Sequence, residues 1–240
     1  MSTVVDFHSH ILPGVDDGSS SLEQSIQMLQ MEHSQGIEKV IATPHFYAQH
    51  DKPEKFLQRR AEAELRLREE MAKYSQLPQL WVGSEVYYFN GISDSDILSE
   101  LTIDKKRYIL IEMPMPPWTD RMYRELEYIW VKQNLVPVVA HIDRYIAPFH
   151  TFRIPERLEE LPVKVQANAS FFLEKSTRRL AFRLLRQERI QLLGSDCHDL
   201  SRRAPNLGEA VKVIEKKFGT DMIAYINSHE EEILANDENV

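Results

Sequence analysis

Short apolar runs alternate with longer amphipathic stretches along the whole chain. The runs are Val4–His8, Lys39–Thr43, Leu80–Ser84, Tyr108–Glu112, Pro137–His141, Lys164–Asn168 and Gln191–Gly194. Most are continuously apolar rather than alternating, as expected for parallel strands covered on both faces. The stretches between them carry helical periodicity. They predict helices over Ser21–Gln35, Lys55–Tyr74, Thr119–Asn134, Ser176–Arg189 and Leu207–Phe218, with a last helix near Met222–Ala235. The first opens with Ser-x-Glu and stops at Gly36, a start and a stop with known chemistry. Seven β-then-α units predict a (β/α)-type barrel, with an open doubly wound sheet as the alternative. The 240 residues show no linker, repeat or low-complexity tract, so one barrel domain over residues 1–240 is expected.

The ends of these runs carry the chemistry. Six of the seven strands end in a candidate ligand: His8-Ser9-His10, Thr43-Pro44-His45, Gly83-Ser84-Glu85, Ile111-Glu112-Met113, Ala140-His141 and Ser195-Asp196-Cys197-His198. The C-terminal ends of barrel strands are where such folds place their active sites. His, Asp and Glu together suit zinc, manganese or iron. His8 and His10 are two apart, so in a strand both point to one side, and Asp196 and His198 repeat that spacing. An isolated His-x-His pair or strand-end Glu is commonplace; the joint pattern across six strands points to a metal site. In Asp16-Asp17-Gly18 a plain turn is one reading. A ligand from one of the two aspartates, Asp17 by preference, is the other. Arg144 and Arg203 lie close behind His141 and His198 and are candidates to clamp a phosphate through bidentate hydrogen bonds. Of the other histidines, His33 and His229 read as surface residues, whereas His50 and His150 are either candidates to line a substrate mouth or plain loop residues. Tyr87, Tyr88 and Phe89 follow Glu85 and fit either an aromatic slot or core and loop packing.

The net charge of -8 argues against broad nucleic-acid or anionic-membrane binding. No apolar run reaches the length of a membrane span, and no leader pattern precedes the first strand, so a cytoplasmic protein is expected. The single cysteine excludes an intrachain disulfide. Cys197 and Arg203 fit C-x5-R, the spacing of cysteine-dependent tyrosine phosphatases. That loop cradles phosphate with backbone amides and normally uses glycine. This one has none, and strand alternation turns Cys197 away from Asp196 and His198.

The segments DFHSHILPGVDDGS, ATPHF, GSEVYY, IEMP, AHIDRY and GSDCH followed by R-x-P together resemble the polymerase-and-histidinol-phosphatase superfamily. They are most similar to its bacterial capsule-associated tyrosine phosphatase branch. The resemblance runs from about Val5 to Pro205 and implies a distorted (β/α)7 barrel with three metal ions: manganese, iron or zinc. It implies a first ion on His8, His10, Glu85 and Asp196. Glu85 would bridge to a second held also by Glu112 and His141, and a third would lie on Asp17, His45 and His198. Arg144 and Arg203 match its phosphate-binding arginines. Two departures stand out: Asp143 occupies a position where Glu is frequent, and the step from His198 to Arg203 is short. The resemblance implies hydrolysis of phosphotyrosine in proteins, with an autophosphorylated bacterial tyrosine kinase controlling exopolysaccharide synthesis as partner. Competing functions are a histidinol-phosphatase-like phosphomonoesterase, a metal-binding module without turnover, and a nuclease, the last disfavoured by charge.

Overall fold

The computed structural model describes residues 4–148 and 153–235. Its strands are β1 (Val5–Ser9), β2 (Lys39–Ala42), β3 (His45–Phe46), β4 (Gln79–Val82), β5 (Glu85–Tyr87), β6 (Tyr108–Glu112), β7 (Val136–Val139), β8 (Lys164–Asn168) and β9 (Leu192–Gly194). Every pairing is parallel, in the orders β1-β2-β4 and β3-β5-β6-β7-β8-β9. The second and third apolar runs, each expected to be one strand, are each divided in two. Pro44, which has no N–H to give, sits in the first break, and Gly83-Ser84 in the second. The ladder nevertheless continues: Gly83 N donates to Ala42 O at 2.8 Å and Glu85 N to Pro44 O at 3.1 Å. The strands therefore follow seven lines. The last closes on the first, since Asp196 N donates to His8 O at 2.7 Å and His10 N to Cys197 O at 2.9 Å. The result is a distorted seven-stranded barrel rather than an open sheet.

Two apolar layers divide the side chains by strand alternation. Val5, Phe7, Ile41, Leu110, Val138, Ala140 and Leu192 form a small cluster inside the barrel, with Ile233 of the last helix. Val40, Ala42, Ile109, Ile111, Val139, Val165 and Leu193 face the larger cluster under the surrounding helices. Burial on both faces is why these runs lack polar alternation. The long helices lie at Leu22–Ser34, Pro53–Met71, Asp120–Gln133, Arg178–Arg186, Leu207–Phe218 and Thr220–Leu234, within a few residues of expectation. Four short ones at Leu98–Leu101, Ile142–Ile146, Arg153–Leu158 and Ala169–Leu173 are too brief to leave a periodic signal.

Candidate metal centre

Strand alternation alone would not bring both halves of β1 inward. Val5 and Phe7 face the barrel interior, which should send His8 outward. The β1–β2 register slips between Asp6 and Ser9: three steps on β1 match two on β2. This bulge resets the alternation, so His8 and His10 both enter the barrel. Gly194 makes room, because a Cβ there would lie 2.6 Å from His8 Cβ. His45, Glu85 and Glu112 come from regular strand positions on β3, β5 and β6. His141 follows the end of β7 with φ of 30°, and Asp196 follows the end of β9 with φ of 53°. Such left-handed backbone is costly for residues with a Cβ and collects at functional sites.

The nine predicted residues converge on one end of the barrel in three overlapping groups. In the first, His8 Nε2 and His10 Nε2 are 3.1 Å apart. Glu85 Oε2 lies 3.1 and 3.3 Å from them, and Asp196 Oδ1 3.5 and 3.4 Å. In the second, His141 Nε2 is 2.9 Å from Glu85 Oε1 and 3.4 Å from Glu112 Oε1. In the third, Asp17 Oδ1 lies 3.5 Å from both His45 Nε2 and His198 Nε2. His45 also turns Nδ1 towards Glu85 Oε2 at 2.9 Å, so it stands between two groups.

The donor chemistry fits cations. His8 Nδ1 faces the amide oxygen of Gln166 at 3.3 Å, His10 Nδ1 the Asp16 carboxylate at 2.7 Å, and His198 Nδ1 the Asp196 carbonyl at 3.0 Å. Each partner accepts, so each Nδ1 directs its hydrogen away from the cluster and each Nε2 is aimed into it, where it meets a cation or a proton. Buried His45 Nδ1, Glu85 Oε2 and His198 Nε2 find no hydrogen-bond partner despite these short separations. Several lone pairs facing one another in a buried place are unfavourable unless a positive charge lies among them. The proton affinities agree. Burial opposes charge on His10, but Asp16, Asp196 and Glu85 prevail and hold its pKa well above the ordinary value. Burial would raise the pKa values of Glu85 and Asp196, but the facing imidazoles hold both well below the carboxylate range.

The two arginines reach the same cluster. Arg144 Nη2 donates to Asp196 Oδ2 at 2.5 Å and Arg203 Nη2 to Asp196 Oδ1 at 2.6 Å. Their side chains are 37% and 38% exposed, enough for a solvent-borne substrate to meet them. The short step from His198 to Arg203 is closed by Asp199. Its Oδ1 accepts the backbone N–H groups of Ser201, Arg202 and Arg203, and His198 N donates to Arg203 O.

With this geometry in hand, the relatives of the chain can be compared. Residues 4–235 match the family model for capsular polysaccharide synthesis, CpsB/CapC. The chain belongs to the CpsB/CapC family. It is 28% identical to tyrosine-protein phosphatase CpsB of Streptococcus agalactiae serotype V over 229 residues, covering 91% of this chain and 92% of that protein. Tyrosine-protein phosphatase YwqE of Bacillus subtilis is likewise 28% identical, with 97% and 92% covered. Among solved structures, that of the metal-dependent tyrosine phosphatases YwqE from B. subtilis and CpsB from Streptococcus pneumoniae superposes with a TM-score of 0.85 at 25% identity, covering 97% of this chain and 95% of that one. A protein from Listeria monocytogenes described as a putative histidinol phosphatase shares the fold alone, at 12% identity and a TM-score of 0.51.

Several residues of this CpsB/CapC barrel escape a reading of strand ends. Asp16 and Asp17 divide their labour. Asp17 is 68% exposed and faces His45 and His198, whereas the Asp16 side chain is only 6% exposed and orients His10 while accepting from the backbone N–H of His45. β8, the one of the seven strand lines without a candidate ligand, supplies the scaffold instead. Gln166 Oε1 accepts from His141 N at 2.7 Å, Gln166 Nε2 donates to Asn168 Oδ1, and Asn168 Nδ2 donates to Asp196 Oδ2 at 3.0 Å. Tyr47 packs 5.2 Å from His45 and 5.7 Å from Tyr87, beside a cavity of about 350 Å³ lined also by His50, Tyr88 and Phe89. Tyr88 itself is largely buried in the core, so Tyr47 and Tyr87 are the rings nearer the cluster. Two expectations need correction. His33 is half-buried, and so is His229, which lies 3.0 Å from Lys164 Nζ at the opposite end of the barrel. His150 lies outside the described residues.

Cys197 points the other way from Asp196 and His198. It is fully buried beside Asp6 and Glu32, and burial together with those acids pushes its thiol pKa well above the ordinary value. A nucleophilic thiolate requires the opposite shift. Cys197→Ser should therefore keep kcat within about threefold, an upper bound for a substitution that leaves every transition-state contact in place. A trapped phosphocysteine, or a thousand-fold loss without loss of metal, would restore the C-x5-R mechanism.

Proposed function

We propose that this chain hydrolyses phosphotyrosine in proteins, using three divalent or transition-metal ions. The carrying observation is the convergence of buried imidazole and carboxylate lone pairs with two arginines at their rim. His8, His10, Glu85 and Asp196 would hold one ion, Glu85, Glu112 and His141 a second, and Asp17, His45 and His198 a third. Manganese is the favoured metal, with iron and zinc compatible with the same donors. Bound in such a site, divalent cations lower the pKa of water to about 7 and offset phosphoryl charge.

The chain's own groups account for the rest. Arg144 and Arg203 bind the phosphoryl oxygens, where planar, charge-assisted hydrogen bonds orient the group and oppose its charge. Gln166, Asn168 and Asp16 hold the ligand side chains at fixed angles, so little reorganisation is needed during the reaction. The tyrosine leaving group has a pKa of about 10 and departs with less proton assistance than an alkoxide. Tyr47, Tyr87 and Phe89 offer its ring an aromatic wall beside the cluster. The names of the relatives support phosphotyrosine over histidinol phosphate, and the family's tie to capsule synthesis supports an autophosphorylated bacterial tyrosine kinase in the cytoplasm as substrate.

The deciding experiment compares a phosphotyrosine peptide, a phosphoserine peptide and histidinol phosphate on one preparation, with elemental analysis of the same sample. The expected outcome is a kcat/KM for phosphotyrosine at least about 10²-fold above the other two, a ratio that an aromatic binding wall and a better leaving group can together supply. Equal or greater activity on histidinol phosphate would assign the small-molecule reading instead.

A further inference from the structure

On the outside of the barrel, the helix Arg178–Arg186 carries four arginines and no acid in nine residues. Ala181, Leu184 and Leu185 bury its inner face. Arg178 is taken up by the carbonyls of Phe172 and Leu173, and nearby Arg189 pairs with Glu159. The exposed Arg179, Arg183 and Arg186 follow at steps of four and three, so they form one row on the outer face. With Phe182 and Lys217 of the neighbouring helix they line a cavity of about 290 Å³. Phe182 is recessed and meets Phe218 edge-on at 5.3 Å, with the Arg186 guanidinium 5.6 Å from the Phe218 ring.

This arrangement works against the helix that bears it. Like charges one turn apart repel, and Arg179 adds a cation to the positive end of the helix dipole. Among the described residues no acid lines the cavity, although the chain as a whole carries a net charge of -8. We propose that the groove formed by Arg179, Phe182, Arg183, Arg186 and Lys217 is a docking site for an acidic peptide segment of the substrate protein. The inference rests on the phosphoprotein reading above and adds to it a recognition element outside the metal centre. Charge complementarity selects an anionic occupant. Arginine, rather than lysine, favours carboxylate or phosphate groups gripped in plane. The concave shape and recessed ring favour a chain laid into the groove over a flat bilayer, which is met by projecting apolar side chains. At about 1.5 Å rise per residue the row spans roughly 10 Å, the length of three extended peptide residues.

The test uses Arg179→Glu/Arg186→Glu, with Lys217→Glu as a second variant on a different helix in case the first misfolds. Substrates are p-nitrophenyl phosphate and two phosphotyrosine peptides, one flanked by six glutamates and one by six glutamines. A fluorescein-labelled glutamate peptide without phosphotyrosine provides a binding readout independent of turnover. The wild type should show a KM about tenfold lower for the glutamate-flanked peptide, a preference that weakens with salt as exposed charges are screened. Both variants should lose that preference and the binding of the labelled peptide, while kcat and the KM for p-nitrophenyl phosphate stay unchanged. An intact preference and unchanged peptide binding in well-folded variants would overturn the proposal. So would variants that lose only sedimentation with phosphatidylserine vesicles, because the occupant would then be a membrane. If no phosphotyrosine peptide is turned over, the phosphatase reading fails separately, and the labelled peptide still decides the groove.

Discussion

Exhaustive chelation should reduce phosphatase activity to background, and Mn²⁺ should restore it. The expectation follows from the side chains at the barrel mouth. His8 and His10 place two imidazole nitrogens 3.1 Å apart, with carboxylate oxygens of Glu85 and Asp196 each 3.1–3.5 Å from both. No thiolate or serine–histidine pair accompanies them among the described residues, and the thiol of Cys197 is buried. Reloading should also release protons. Burial lowers the pKa of His141, but Glu112 and Glu85 outweigh it and raise it to about 9. His141 therefore carries a proton at neutral pH that a metal must displace, so affinity should rise as pH increases towards 9. His198, lowered to about 4 by burial and by the neighbouring His10, is already neutral and has no proton to give up. Calorimetric titration in buffers of differing ionisation enthalpy reads the proton count. Full activity after exhaustive chelation, confirmed by elemental analysis, would refute the metal mechanism.

Asp196→Ala should lower kcat by at least about 10²-fold, the scale reached even when a residue supporting a metal ligand is lost. Asp196 is the most connected group in the cluster. It faces His8 and His10, accepts from Asn168, and receives both Arg144 and Arg203. Its removal should therefore weaken metal binding and misplace both phosphate-binding arginines together. The fold should survive, because the two arginines are more than one-third exposed and retain access to water. Asn168→Ala, which removes only the orienting hydrogen bond, should cost less. Wild-type turnover in Asp196→Ala with undiminished metal content would show that Asp196 is not a ligand.

Much of this barrel is written locally. The continuous apolar run Tyr108–Glu112 coincides with β6 to the residue, because burial on both faces leaves a signal that needs no partner to read, and the alternating run Lys164–Asn168 coincides with β8 in the same way. The amphipathic stretches over Leu22–Ser34 and Leu207–Phe218 are equally legible, since each faces one apolar layer. The candidate ligands were legible for the same reason. A residue type such as His or Glu at a strand end keeps its chemistry whatever surrounds it, and the order of strand ends along the chain names His8, His10, His45, Glu85, Glu112, His141, Asp196 and His198 before any contact is known.

What tertiary structure alone decided is where those side chains point and what holds them there. Strand alternation would have turned His8 out of the barrel; the bulge between Asp6 and Ser9 turns it in, and that bulge exists only relative to the register of β2. His141 and Asp196 are aimed by left-handed backbone at the ends of β7 and β9. The roles of Asp16 and Asp17 were open in the sequence because both fit a turn, and they separate only where His10 meets one and His45 and His198 meet the other. Gln166 and Asn168 gave no signal as a polar pair in a buried strand until β7 and β9 lay on either side of them. The physical reason is common to all four cases. Residue chemistry and periodicity are properties of the chain, whereas direction, register and hydrogen-bond partnership are relations between segments that closure of the barrel brings together.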